Sequence, residues 1–292
     1  MSIDKLQNQV RKLKNPTAVY FSLDKTQIPP QVLSAETDPV QAYQLYAKRV
    51  LDVLTGMVPA VRFGFGSFAL NGSVGLNILS QLLTYASKQG YYVVLDVPEI
   101  FSFSDAKLAA DAILGDTGKW KCDGLMLSCY IGSDAIKPFA DKLKESEMDL
   151  FLSVRTGNKS APELQELLTG SRSVCTVAAD MVKRMGEGFL GRCGYSRIAG
   201  VGPATSADTL RMMREKYTNM FLWVDGYDYS GANAKNCSFA FDNLGHGAVV
   251  CASDYILAAW KNALNVNDLP EEMAYQAAER IKKNISRYIT IL

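Results

Sequence analysis

Three charged residues of this 292-residue chain sit where apolar runs end. Asp24 follows Ala18 to Leu23, Arg62 lies within Val58 to Phe65, and Asp96 follows Tyr91 to Leu95. A guanidinium between two carboxylates can bind a sugar or other hydroxyl groups. The same trio can also be a buried Asp–Arg–Asp network kept for stability, since removing one member strands a charge. Both readings are open. Beyond Asp96 stand Pro98 and Phe101, where a catalytic site would carry charge.

Other candidate chemistry is sparse. The single histidine, His246 in Leu244-Gly-His-Gly, has no nucleophile or orienting group placed beside it, and reads as a loop residue with satisfied polar atoms. Cys122, Cys129, Cys175, Cys193, Cys237 and Cys251 form no CxxC pair, so no metal site is expected; they read as small buried hydrophobes. GxGxxG and GxxxxGK[ST] are both absent, and no cofactor is expected. Asp105-Ala-Lys107-Leu-Ala-Ala-Asp111 lies on a helix, where positions two apart do not face together, and reads as a solvated face.

These residues need a scaffold that gathers strand ends. Apolar strands are predicted at Ala18 to Leu23, Val58 to Phe65, Tyr91 to Leu95, Gly124 to Tyr130, Leu150 to Val154, Ile198 to Val201, Met220 to Val224 and Gly247 to Cys251. Helical periodicity fills the gaps, at Pro39 to Thr55, Gly72 to Lys88, Ser104 to Leu114, Ser133 to Glu147, Ala161 to Leu168, Ser173 to Gly194, Ser206 to Tyr217 and Asn233 to Phe241. An amphipathic helix over residues 2–14 opens the chain; Ser253 to Ala263 and Glu271 to Ile289 close it. Two-sided apolar strands alternating with helices predict a parallel sheet, and eight such units predict a closed (β/α)8 TIM barrel. Without a linker or internal repeat, residues 1–292 read as a single domain.

The net charge of +1 argues against nucleic-acid or membrane-surface partners. No run is long and apolar enough for a membrane span, and the N-terminus lacks the apolar core of a signal peptide, so a cytoplasmic location is expected.

Several stretches resemble orotidine 5′-phosphate decarboxylase, in its longer bacterial branch. Ser22-Leu-Asp24 is similar to the family's Gly-Leu-Asp, and Val58-Pro-Ala-Val-Arg62 to Val-Pro-Ala-Val-Lys. Tyr130-Ile-Gly-Ser-Asp-Ala-Ile-Lys-Pro-Phe139, Arg155-Thr-Gly-Asn158, Gly186-Glu-Gly-Phe-Leu-Gly-Arg-Cys-Gly-Tyr-Ser196 and Val201-Gly-Pro-Ala-Thr205 continue the likeness in order, over roughly residues 5–260. The resemblance implies a TIM barrel, a homodimer and a decarboxylase of pyrimidine biosynthesis. It implies Asp96 as a catalytic carboxylate, and Asp24, Arg62, Thr156, Asn158, Gly226 and Ser230 as substrate-binding residues.

The departures are specific. The family's Asp-x-Lys-x-x-Asp reads Asp96-Val-Pro98-Glu-Ile-Phe101 here, so the proton-donating lysine and the second aspartate are replaced. Its phosphate loop reads Asp225-Gly-Tyr-Asp-Tyr-Ser230-Gly-Ala232, and its Asn-Ser-Ser-Arg-Gly reads Cys251-Ala-Ser-Asp254-Tyr, an aspartate for the phosphate-binding arginine. The expectation is a barrel of this type that has lost the decarboxylation, a pseudoenzyme binding a small nucleoside-like or sugar ligand. The alternative is an active decarboxylase or a barrel enzyme with a new substrate. Phe63, Phe65, Phe68, Phe101, Phe103, Tyr227 and Tyr229 enrich the strand-end face in aromatics, as a new apolar pocket or partner surface would require or, the reading favoured, as packing that fills the abandoned pocket.

Overall fold

The computed structural model describes residues 2–97, 100, 102–114, 120–263 and 268–292. Eight strands close into one parallel barrel, each hydrogen-bonded to its sequence neighbours and the last to the first. They are β1 (Thr17–Phe21), β2 (Ala60–Gly64), β3 (Tyr92–Asp96), β4 (Gly124–Ser128), β5 (Asp149–Ser153), β6 (Ile198–Pro203), β7 (Leu222–Asp225) and β8 (Ala248–Ala252). With helices between the strands, this is the (β/α)8 TIM barrel expected from the alternation of apolar runs.

The two faces of each strand feed two cores. Val19, Phe21, Val61, Phe63, Val93 and Leu95 point outward against the helices. Ala18, Ala60, Tyr92, Val94, Phe151 and Trp223 point inward and fill the barrel. Small residues on β1 and β2 leave room for the large rings opposite, where Phe151 meets Trp223 edge to face at 5.3 Å between centroids. The outer helices carry ordinary start signals. Asp38 accepts from the Val40 backbone N–H ahead of Pro39, at the start of Pro39–Leu54.

The bottom of the barrel is sealed. The helix Ser2–Leu13 buries Ile3, Leu6 and Val10 in the interior cluster. Above it, Asp149 is fully buried, accepts a 2.5 Å hydrogen bond from the Tyr92 hydroxyl, and pairs with Arg197 at 3.3 Å. The Arg197 guanidinium also donates to the carbonyls of Leu143, Ser146 and Met148. Four of its five N–H donors are thus spent on structure.

Several expectations are corrected. The Ala161–Leu168 and Ser173–Gly194 segments are not two long helices. A single turn, Pro162–Gln165, leads into a small antiparallel hairpin pairing Leu168–Thr169 with Arg172–Ser173. The helix Val174–Met185 follows, capped by Ser173, and a turn through Gly188 at φ +88° ends any continuation. Ser253–Ala263 divides into Asp254–Leu257 and a 3₁₀ turn at Ala259–Asn262. Phe65 begins a short helix, Phe65–Ala69, rather than ending β2, and a further helix, Pro30–Ala35, follows β1. Cys129, Cys175, Cys237 and Cys251 are buried as expected, whereas Cys122 and Cys193 are half-buried. His246 hydrogen-bonds the Leu292 carbonyl through Nε2, at 2.9 Å. Lys107 is exposed, as a solvated helix face requires. Among the described residues, no helix is long and apolar enough to cross a membrane.

Burial raises the Asp149 carboxyl to about 7, against the opposing pull of Tyr92 and Arg197. A folded-state value above the unfolded one, near 3.9, means the folded state holds the proton longer. Stability from this group is therefore complete below about pH 4 and drains away up to about pH 7, by roughly 4 kcal/mol. In urea denaturation between pH 4.5 and 8, the wild type should lose stability relative to Asp149→Asn as pH rises, then run parallel to it. A constant difference across that range would refute the assignment.

Candidate active site at the barrel mouth

Alternation along β2 places Ala60 and Arg62 inward, so Arg62 projects into the mouth. Its Nε and Nη2 donate to the two oxygens of Asp96, the last residue of β3, at 2.6 and 2.9 Å. Its Nη1 lies 3.0 Å from Oδ2 of Asp225, the last residue of β7. The guanidinium also lies over the Tyr20 ring, 4.3 Å from its centroid. Burial works against the Arg62 cation, but Asp225 and Asp96 outweigh it and hold its pKa well above the ordinary value. Burial also raises the Asp96 carboxyl, while Arg62 pulls it the other way. Both oxygens of Asp96 accept from the guanidinium, which is the geometry of a carboxylate, so the pair is ionic.

The Asp24–Arg62–Asp96 trio needs correction. Among the described residues, the carboxylates ion-paired with Arg62 are Asp96 and Asp225. Asp24 lies three residues past the end of β1 and caps the 3₁₀ turn Lys25–Gln27, accepting from the Thr26 N–H at 2.8 Å. Asp225 had a sequence signal: it closes the apolar run Leu222-Trp-Val as Asp96 closes its own. What the sequence could not indicate was that one side chain would reach across the mouth from β2 to β7.

The Arg62–Asp225 pair lies between two cavities. One, about 350 Å³, has an apolar wall of Val97, Ile100, Met126, Leu127, Ile131 and Val201, with Ser128, Ser153 and Thr156 as polar points. The other, about 370 Å³, is lined by Tyr20, Asp24, Gln27, Gly226, Asp228, Tyr229 and Asp254 among others. Arg62 and Asp225 line both, and Arg62 is the only cationic side chain among the described lining residues.

The loop after β7 turns back on itself. Asp228 inserts its carboxylate against the start of Asp254–Leu257, accepting from the backbone N–H groups of Ser253 and Tyr255, each at 2.7 Å. Burial raises the Asp228 carboxyl while these two amides oppose the rise. The Tyr229 ring lies over Gly226 and Gly157. A Cβ at Gly226, already at φ +77°, would fall 2.5 Å from that ring, and one at Gly157 2.7 Å.

Of the residues implied by the resemblance, Asp96, Arg62, Asp24, Thr156 and Gly226 all line one or both cavities. Thr156 also donates its backbone N–H to Gln165, at 2.8 Å. Asn158 and Ser230 are exposed and line neither cavity. Pro98 and Phe101 lie outside the described residues. The aromatic set does not fill the mouth as a group. Phe63 and Phe68 are buried in the outer layer, Phe103 is exposed, and Tyr229 alone of the described members lines a cavity. Asp228, Gln27 and Tyr20 were missed, the first two because their loops carry no periodic signal.

No family model matches the chain. Curated relatives include an orotidine 5′-phosphate decarboxylase of Caldicellulosiruptor saccharolyticus, 29% identical over 252 residues, covering 84% of this chain and 82% of that protein. Another, from Clostridium novyi, is 27% identical over 286 residues, covering 98% of each. Among solved structures, the Leishmania donovani OMP decarboxylase superposes with a TM-score of 0.71 at 20% identity, over 98% of both chains. The Plasmodium berghei orotidine 5′-monophosphate decarboxylase gives 0.73 at 14% identity, over 97% of this chain and 99% of that one. The chain therefore resembles orotidine 5′-phosphate decarboxylases in sequence along most of its length and in fold along nearly all of it.

Proposed function

We propose that this chain is an orotidine 5′-phosphate decarboxylase-like barrel that has lost the decarboxylation chemistry. On this reading it binds a nucleoside-like or sugar ligand lacking a 5′-phosphate. The observation that carries the reading is the Asp228 carboxylate on the Ser253 and Tyr255 amides. The usual phosphate site of a TIM barrel is formed by the loops after strands seven and eight. Here those loops satisfy each other, and the anion is built in.

Electrostatics sets the size of the effect. Two like charges about 4 Å apart repel by roughly 4 kcal/mol at a surface-like dielectric, close to a thousandfold in affinity. Asp254, in the position of the phosphate-binding arginine, adds to the repulsion. Reprotonating a ring carbanion is a separate difficulty. It needs a donor that gives up its proton near neutral pH. Arg62 is the cation at hand, and two carboxylates hold its proton more firmly than in water. The pair can orient hydroxyls, with Asp24 and Thr156 as further polar contacts.

A second reading, a retained decarboxylase, is supported by the match to curated decarboxylases over 84–98% of the chain. Following orotidine 5′-phosphate by ultraviolet absorbance separates the two. The first reading expects no turnover above the uncatalysed rate and no rise in melting temperature with uridine 5′-phosphate. Turnover abolished by Asp96→Ala would establish the second.

Asp228→Ala should free two amide donors at a stability cost of about 1–3 kcal/mol. The variant should then gain a melting-temperature rise with inorganic phosphate that the wild type lacks, because a ligand specific to the native state stabilises it. Equal responses from both proteins would remove Asp228 as the obstacle.

A further inference from the structure

We propose that Asn71 is a site of intramolecular deamidation, a modification that installs a carboxylate where the helix Gly72–Lys88 begins. The inference is independent of what the barrel mouth binds.

Asn71 is the only asparagine of the chain that is followed by glycine. The reaction uses atoms of these two residues and water. The Gly72 amide nitrogen attacks Cγ of Asn71; the N–Cγ bond forms and the Cγ–Nδ2 bond breaks. The side-chain nitrogen leaves as ammonia, taking the amide proton through solvent. Water then opens the cyclic imide at one of its two carbonyls, giving aspartate or isoaspartate. Nothing is oxidised or reduced.

The fold leaves the reacting atoms open. Gly72 is exposed at φ +63°, and even a Cβ built on it would meet nothing within 4 Å. Its N–H opens the helix, where no intrahelical acceptor exists, and it donates to no other carbonyl. Leu70, on the other side, is 89% exposed. Bringing the nitrogen onto Cγ requires rotation about ψ of Asn71, which stands at 20°. That rotation breaks one long backbone bond, from the Gly75 N–H to the Asn71 carbonyl at 3.3 Å. Nδ2 is held by a single bond, to the Ser67 carbonyl at 3.1 Å.

The helix end also suits the aspartyl product. Asn71 occupies the N-cap position of a 17-residue helix, yet its side chain caps nothing. The free N–H groups and the partial positive charge there favour a carboxylate over an amide. Isoaspartate is less well accommodated, because it lengthens the backbone where two helices are in close contact. A Cβ at Gly75 would fall 2.0 Å from the Phe68 carbonyl of the helix Phe65–Ala69.

The test incubates the folded chain at pH 8 and 37 °C beside the same chain unfolded in guanidinium chloride. Samples are digested at mildly acidic pH and followed by mass spectrometry. The expected result is a gain of one mass unit at Asn71, within tenfold of the rate in the unfolded chain and at least fivefold faster than at any other asparagine. Isoaspartate should appear in the same peptide, and Gly72→Ala should slow conversion at least fivefold in the unfolded chain. Conversion confined to the unfolded chain overturns the proposal, because the fold then protects the site. Asn71→Asp, a stand-in for the aspartyl product, should melt at or above the wild-type temperature. A lower melting temperature would refute the fit of the carboxylate to the helix start.

Discussion

The mouth of this barrel is organised by one guanidinium that has to satisfy two carboxylates. Arg62 extends from β2, grips Asp96 on the neighbouring strand with two parallel bonds, and meets Asp225 across the opening. The ring of Tyr20 closes one face of it. Three partners from three strands fix a side chain that would otherwise have many rotamers, and their positions divide the mouth. Taking Arg62 away would leave two partly buried carboxylates without compensation, whereas loss of either carboxylate leaves the other paired. The two carboxylates also hold the Arg62 proton more firmly than water would.

The loops after β7 and β8 extend the same logic. A phosphate site needs free amide donors and an unpaired cation. Here the amides of Ser253 and Tyr255 are occupied by Asp228, and Gln27 bonds to Asp254. Tyr229 is set down on two glycines where any Cβ would collide with its ring. The loop is thus fixed by internal contacts of the kind a ligand's anion would otherwise provide.

The bottom of the barrel shows the contrast between support and function. Asp149, Arg197 and Tyr92 form a buried polar group as dense as the one at the mouth. It is sealed beneath the helix Ser2–Leu13, and Arg197 is tied to three backbone carbonyls. Burial and these bonds favour rigidity there; partial exposure and two adjoining cavities at the top leave room for a ligand.

The sequence by itself determined the barrel. Eight apolar runs separated by helical periodicity admit few other arrangements, because strands buried on both faces must be covered by helices on one side and by one another on the other. It also placed Asp96 at a strand end and Arg62 within the neighbouring strand, where period-two alternation aims them inward. Only the tertiary structure decided which charges meet. Asp24 follows β1 and Arg62 lies on the neighbouring β2, yet Asp24 turns to cap its own loop while Asp225, 163 positions away from Arg62, takes its place. Local spacing is written in the chain because backbone geometry repeats every two or 3.6 residues. Partners across a barrel mouth depend on strand closure, side-chain reach and the path of non-periodic loops, and no window of sequence contains all three.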